Sequence, residues 1–336
     1  MTFQKEPVVS SVSTTSDELI DGLRIIVLRE PSTGSEAHVV PELASNVVRF
    51  RTRVGERTMD VLESAPDTET LRERPGRYGT PPLFPYPGRV GRGRFSFRGR
   101  EVTLPTVADG NAIHGFLRGR PFDVVSMDNT SVTTRLDSRR AGVSDAEWPF
   151  PCQLTLTISL KAGVLRADCE VVNTGVEPMP MGLGFHHFFP ASVDNEVWVE
   201  ADEQWEQAPE GMPTGRIDQL GPDDGLRHPR ALRDIPLGFT TPRGEVRNLL
   251  FRRSVGGVSA GVRYPENGFE ARLDGSPEFG ALVLFTPPGT PAISLEPHSC
   301  VPDAFNLAKR GLPTGMVELD PGQVWRAWWE VRVIAI

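Results

Sequence analysis

The sequence predicts an all-β chain, a single large domain built as a β-sandwich of two packed antiparallel sheets. Three observations carry this. Apolar residues recur at every second position in several segments, the period of a half-buried strand. The 33 glycines and 31 prolines are spread along all 336 residues, as many short turns require. No segment keeps a helical period over a useful length.

Residues 1–17 are polar and Ser/Thr-rich and are expected to form a flexible tail, leaving 18–336 as the single domain. From Leu23 onward short apolar runs alternate with Gly/Pro/Asp clusters. Two polar stretches, 62–82 and about 206–236, read as long surface loops of the kind that often bind ligands. In LTLTISL the residues Leu154, Leu156, Ile158 and Leu160 share a face opposite Thr155, Thr157 and Ser159. Leu165, Ala167, Cys169 and Val171 share another, which makes Cys169 a core thiol. ALVLF (281–285) is apolar throughout and suits a strand covered on both sides. In the last strand Trp325, Ala327, Trp329, Val331 and Val333 oppose Arg326, Glu330 and Arg332.

Composition excludes several classes of function. A net charge of −8 disfavours nucleic acid and anionic membranes as partners. The three cysteines form no C-x-x-C pair, and the N-terminus lacks a basic start followed by an apolar run. No run approaches the roughly 18 apolar residues of a membrane span. The expected location is cytoplasmic. The chain carries no G-x-G-x-x-G or Walker loop and no clustered metal ligands, so no cofactor and no metal are expected.

Four separated segments deliver proton-handling or anion-gripping residues. In GRVGRGRFSFRGR, alternation puts Arg92, Arg94, Arg98 and Arg100 on a solvated face and Arg89 with Phe95 and Phe97 on the other. An inward Arg89 needs a carboxylate or a polar ligand for its five donors, and local sequence leaves both open. His114 precedes Gly115; by itself it reads first as a satisfied core histidine. Successive strand residues face opposite ways, so His186 and His187 cannot both enter one pocket, which also weakens a metal reading. In AISLEPHSC, Ser294 and Glu296 share a face, and Pro297 is expected to end the strand and leave Glu296 at a sheet rim.

Taken together, these segments resemble the aldose 1-epimerase (mutarotase) family, from about Leu83 to Val333. PYPGRVGRGRFSFRG is similar to the family's P-[FY]-P-N-R-[IV]-x-x-G-x-[FY]-x-F-x-G segment, and NAIHGF to its N-x-[LI]-H-G segment. PMGLGFHHFF resembles G-x-G-x-H-P-Y-F, with His186 at the family histidine and His187 at its proline. GMPTG (211–215) and SLEPHSCVPDAFNL also correspond to family patterns.

The resemblance implies a galactose mutarotase-like β-supersandwich and cofactor-free interconversion of sugar anomers. It implies Glu296 as general base, His186 as general acid, and His114 and Arg89 as holders of sugar oxygens, with Asn111 of the same motif in the substrate-binding set. Two departures follow from the same match. Gly88 replaces the family asparagine, and the aspartate of an L-D-x-x-[FY]-like segment has no clear counterpart, Asp234 being nearest. The expected partner is a small-molecule sugar, with the chain acting as a monomer or homodimer. The alternatives are mutarotation of a hexose 6-phosphate, gripped by Arg118, Arg120 or a solvated-face arginine, and a non-catalytic sugar-binding protein on the same fold. A weaker third is a polysaccharide-processing enzyme on a related sandwich.

Overall fold

Alternating segments become strands in the computed structural model, which describes residues 12–208, 211–237, 239–241 and 244–336. A nine-stranded antiparallel sheet runs in the order Asp123–Met127, Ser131–Asp137, Cys152–Lys161, Val164–Asn173, Val324–Ala335, Phe269–Gly275, Ser259–Tyr264, Glu196–Glu200, Arg230–Ala231. An eight-stranded sheet runs Pro213–Gln219, Glu203–Gln207, Asn248–Arg252, Ala281–Phe285, Ala292–His298, Gly184–Phe185, Pro82–Leu83. His187–Pro190 also pairs with Ala292–His298.

The two sheets pack as alternation dictates. Leu154, Leu156, Ile158 and Leu160 are buried on one face of the nine-stranded sheet, with Ala327, Trp329 and Val331. Trp329 meets Phe185 of the eight-stranded sheet edge-on at 5.5 Å and His187 at 4.4 Å. The far face of the nine-stranded sheet is solvated and laced with ion pairs such as Arg326–Glu170 and Arg332–Asp274. Fully burying a side chain of this size contributes roughly 1.5–3 kcal/mol, so this inter-sheet layer is the main anchor between the sheets. Cys169 is buried within it.

Four expectations are corrected. A third sheet of five strands, Thr14–Ile20 through Arg57–Asp60, adds to the expected two, and its Ile26, Leu28, Ala37 and Phe50 join the same core cluster. Its first strand begins at Thr14, so residues 14–17 of the expected tail are strand, paired with Ile26–Arg29; residues 1–11 lie outside the described residues. Asp17 and Glu18 are held there by Arg24 and Arg29, ion pairs that a reading of polar composition does not reveal. The loops are partly ordered elements. Residues 62–82 contain the helix Thr68–Glu73, capped by Asp67, whose carboxylate accepts the Thr70 N–H at 2.7 Å. Residues 206–236 contain the strand Pro213–Gln219, paired with Glu203–Gln207. Finally, Pro297 does not end its strand: it stays extended opposite Leu282, and Glu296 lies inside the sheet rather than at its rim. The fixed φ of proline falls within the extended range, so only one ladder donor is lost.

Among the described residues no helix is long and apolar enough to cross a membrane.

Candidate active site

Register builds the centre of the site. Gly184 stands opposite His298 and His187 opposite Leu295; the same register continued through the break sets His186 across from Glu296. Directly opposed residues of an antiparallel pair project to one face. His186 and Glu296 therefore meet on the outer face of the eight-stranded sheet, with Nε2 to Oε1 at 3.1 Å. His187 points the other way, fully buried against Trp329, and burial pushes its imidazole down to about 3. The separation of the two histidines by alternation holds.

The strand bearing Glu296 supplies two more side chains on that face. Ser294 Oγ lies 2.5 Å from His186 Nδ1, and His298 Nε2 lies 3.2 Å from Glu296 Oε2. Residues 294, 296 and 298 share a face by simple alternation. His298 was missed because the strand was expected to stop at Pro297; Ser294 was placed on the right face without a role. Phe188 stacks on the His186 ring at 4.1 Å, and the Arg77 guanidinium lies over the same phenyl ring at 4.7 Å.

His114 and Arg89 enter from paired short strands, Arg89–Val90 and Ala112–Ile113. His114 adopts a left-handed φ of +62°. Gly115 follows at +70°, where a side chain would run into the Phe84 carbonyl. The Gly88 N–H donates to His114 Nδ1 at 3.1 Å, and the His114 N–H returns to the Gly88 carbonyl at 2.9 Å. This leaves a proton on Nε2 of the neutral ring, available to a ligand oxygen. Gly88 has φ +70°, and a Cβ there would sit 2.6 Å from Pro302 Cγ, so glycine is required beside Arg89.

Arg89 is half-buried, its Nε donating to Asp109 Oδ2 at 2.9 Å. Asp109 carries no motif signal and was missed. The expected common face for Arg89, Phe95 and Phe97 is corrected. The turn Gly91–Gly93 interrupts the period, so Phe95 packs on Trp148 and Phe305 while Arg89 turns to the cavity. Arg92, Arg94, Arg98 and Arg100 are exposed as expected.

A cavity of about 320 Å³ brings together Arg89, His114, His186, Glu296 and His298, with Gln207 and Asn248 on the far wall. Asn111 and Asp234 are not among the described residues that line it. The Asn111 carboxamide oxygen is committed to the Arg92 N–H at 2.9 Å, so Asn111 holds the turn. Asp234 is exposed in the turn Leu232–Asp234, which is anchored through buried Leu232 and Ile235 and so directs Asp234 outward. Arg120 pairs with Glu147 and donates to the carbonyls of Phe116 and Ala141, which removes it as a phosphate holder. A larger depression of about 570 Å³ lies on the solvated face of the nine-stranded sheet. Most of its charges are already paired, Arg326 with Glu170 and Asp168 with Arg166.

Burial raises the Glu296 carboxyl above its ordinary range, against the lowering effect of the His298 hydrogen bond. Burial also holds His186 well below its ordinary value, aided by the charges of His114, His298 and Arg77. The low-dielectric floor thus favours the uncharged pair, carboxyl with neutral imidazole, which holds one proton between the two groups. An acid and a base in contact, flanked by donors, can move one proton onto a substrate oxygen and take another from it.

The aldose 1-epimerase family profile matches residues 28–332. Over 265 residues the chain is 24% identical to the uncharacterized protein YphB of Escherichia coli (strain K12), covering 75% of this chain and 82% of that one. A galactose mutarotase-like protein from Clostridium acetobutylicum superposes with a TM-score of 0.82 at 20% identity, over 97% of this chain and all of that one. A galactose 1-epimerase from Lactobacillus acidophilus NCFM gives 0.72 at 16% identity, over 97% and 99%.

Proposed function

Because this chain belongs to the aldose 1-epimerase family, we propose that its cavity interconverts the α and β anomers of a free aldohexose or related sugar by acid/base ring opening and closure. The observation that carries this reading is the contact between His186 Nε2 and Glu296 Oε1, 3.1 Å apart on the cavity floor. The pair is active in its ionic form. Carboxylate Glu296 takes the proton from the anomeric hydroxyl as imidazolium His186 gives one to the ring oxygen. The C1–ring-oxygen bond breaks, C1 becomes an aldehyde carbon, and the proton count is unchanged. Rotation about C1–C2 and closure with the roles reversed give the other anomer.

The remaining residues fit the charge that moves. His114 Nε2–H and the Nη groups of Arg89 donate to sugar oxygens and stabilise negative charge as it develops. Ser294 suits both states of His186, because its hydroxyl can accept from Nδ1–H in the imidazolium and in the imidazole left once Nε2 has given up its proton. Positioned proton transfer contributes about 10²–10⁴-fold, and no electron or group leaves the sugar.

The test is the rate of optical-rotation change for glucose, galactose and glucose 6-phosphate near neutral pH, with wild type and Glu296→Gln. Acceleration by wild type and its loss in the variant support the reading. Sugar binding with equilibration at the uncatalysed rate sinks it in favour of a binding protein.

A further inference from the structure

A guanidinium whose end groups have nothing to donate to lies behind His186. Arg77 follows the helix Thr68–Glu73, in the stretch that leads into the strand Pro82–Leu83. Its guanidinium lies over Tyr78 at 5.2 Å and over Phe188 at 4.7 Å. Phe188 in turn stacks on the His186 ring at 4.1 Å, with 17° between the planes. One phenyl ring is thus shared by guanidinium and imidazole.

The backbone sets this contact. The Phe188 N–H donates to the Gly79 carbonyl, the Gly79 N–H to the Glu63 carbonyl and the Glu63 N–H to the Phe188 carbonyl, each at 2.9 Å. The His186 N–H donates to the Pro81 carbonyl at 3.0 Å. This closed circuit pins the segment after Arg77 against the one that carries His186.

Arg77 Nη1 and Nη2 are buried and have no hydrogen-bond partner among the described residues. Aromatic faces hold the flat of a guanidinium, but its N–H edges stay unmade, which is costly for a charged group. An apolar side chain of similar length would pack there without that cost. What the arginine adds is its charge.

The other groups facing His186 are charged only in some states. His114 lies across the cavity at 6.0 Å between ring centres, Glu296 and His298 come from the neighbouring strand, and His187 is next in the chain. Imidazole and carboxyl groups change charge with protonation, whereas a guanidinium keeps its own. Arg89 acts on His114 and Glu296. Arg77 acts on His186 itself, adding to burial in opposing the imidazolium. The half-buried Glu63 offsets part of that charge when ionised.

We propose that Arg77 is a positioning residue for the acid of the site: acting across Phe188, its permanent charge makes imidazolium His186 readier to hand its Nε2 proton into the cavity. The role of His186 as acid rests on the anomerisation reading; the effect on its ring does not.

Nitrogen NMR of ring-labelled histidine in the full chain, followed against pH wherever the melt shows a folded protein, tests it. The His186 signals are identified through His186→Gln. Removing a neighbouring positive charge favours the protonated ring, so in Arg77→Met the His186 protonation steps should move to higher pH. The move should be about one unit for a charge at this range in an interior of effective dielectric about 20. Arg77→Lys keeps a charge and should stay near wild type. Arg77→Met should also melt at or above the wild-type temperature, because it removes unmade N–H groups. Should it fail to fold, Arg77→Gln must show the same move, and loss of the fold in both makes the residue structural and overturns the inference. Steps that stay in place in the neutral variant, or that move as far in Arg77→Lys, overturn it too. The titration needs no turnover, so a moved step in a chain that does not accelerate anomerisation sinks the mutarotase reading and leaves the effect of Arg77 on the ring intact.

Discussion

Asp303 accepts the backbone N–H of Gly91 at 2.9 Å, across 212 residues of sequence. Its own N–H donates to the Arg89 carbonyl at 2.7 Å, and Asn306 Nδ2 donates to the same Oδ1 at 2.7 Å. Asp303 adopts a left-handed φ of +58° to do so. The segment after the Glu296 strand thus clamps the turn from which Arg89 projects. Asp303→Ala leaves the Gly91 donor without its partner and should lower unfolding free energy by about 1–3 kcal/mol. It should also raise KM for sugar more than it lowers kcat. Asp303→Asn keeps an oxygen at Oδ1 and should retain most of both, as urea melts and steady-state kinetics would register.

The pH dependence follows from the shared proton. Gaining a second proton makes the pair positive and losing the only one makes it negative; burial opposes both. The acid limb of kcat/KM should therefore lie below the ordinary histidine value and the alkaline limb above the ordinary carboxylate value. An acid limb above 6.5 or an alkaline limb below 4.5 contradicts this arrangement.

His298 donates to Glu296 Oε2 and so favours the carboxylate. Removing it in His298→Ala should raise the Glu296 carboxyl further and move the acid limb upward. A hydrogen bond to a charged group is worth about 1.5–3 kcal/mol, which corresponds to a shift of about one to two pH units. His298→Gln, which keeps a donor, should move it less. A purely structural His298 would lower yield or melting temperature and leave the limb in place.

Ser294→Ala deprives His186 Nδ1 of its 2.5 Å partner and should cost kcat about tenfold, with KM little changed, because the hydroxyl holds the ring that hands over its Nε2 proton. Thr at 294 should restore most of the rate. A variant with unchanged kcat excludes Ser294 from the proton path.

Period-two alternation made much of this legible. It separated His186 from His187, put Ser294 with Glu296, and ordered the Leu154–Leu160 and Trp325–Val333 faces correctly. It failed where the backbone leaves the ladder. The turn at Gly91–Gly93 broke the phase between Arg89 and Phe95, and Pro297 kept a phase it was expected to break. Asp109, Gln207 and Asn248 left no sequence signal, because each matters through a partner or wall supplied by another strand. Asp234 was the nearest aspartate to a family segment that has no clear counterpart here, and its turn faces outward.

Glu296 stands on a strand flanked on one side by Ala281–Phe285 and on the other by residues from 184 to 190. The acid and the base are thus neighbours only once the chain has closed a loop of more than a hundred residues. No fragment, and no intermediate lacking that last inner strand, contains a working pair. Under the proposed anomerisation, turnover is in effect a readout of finished topology. During refolding, recovered rate should trail recovered strand signal, and a protein with native-like circular dichroism but no turnover would mark a chain whose central strand has yet to dock.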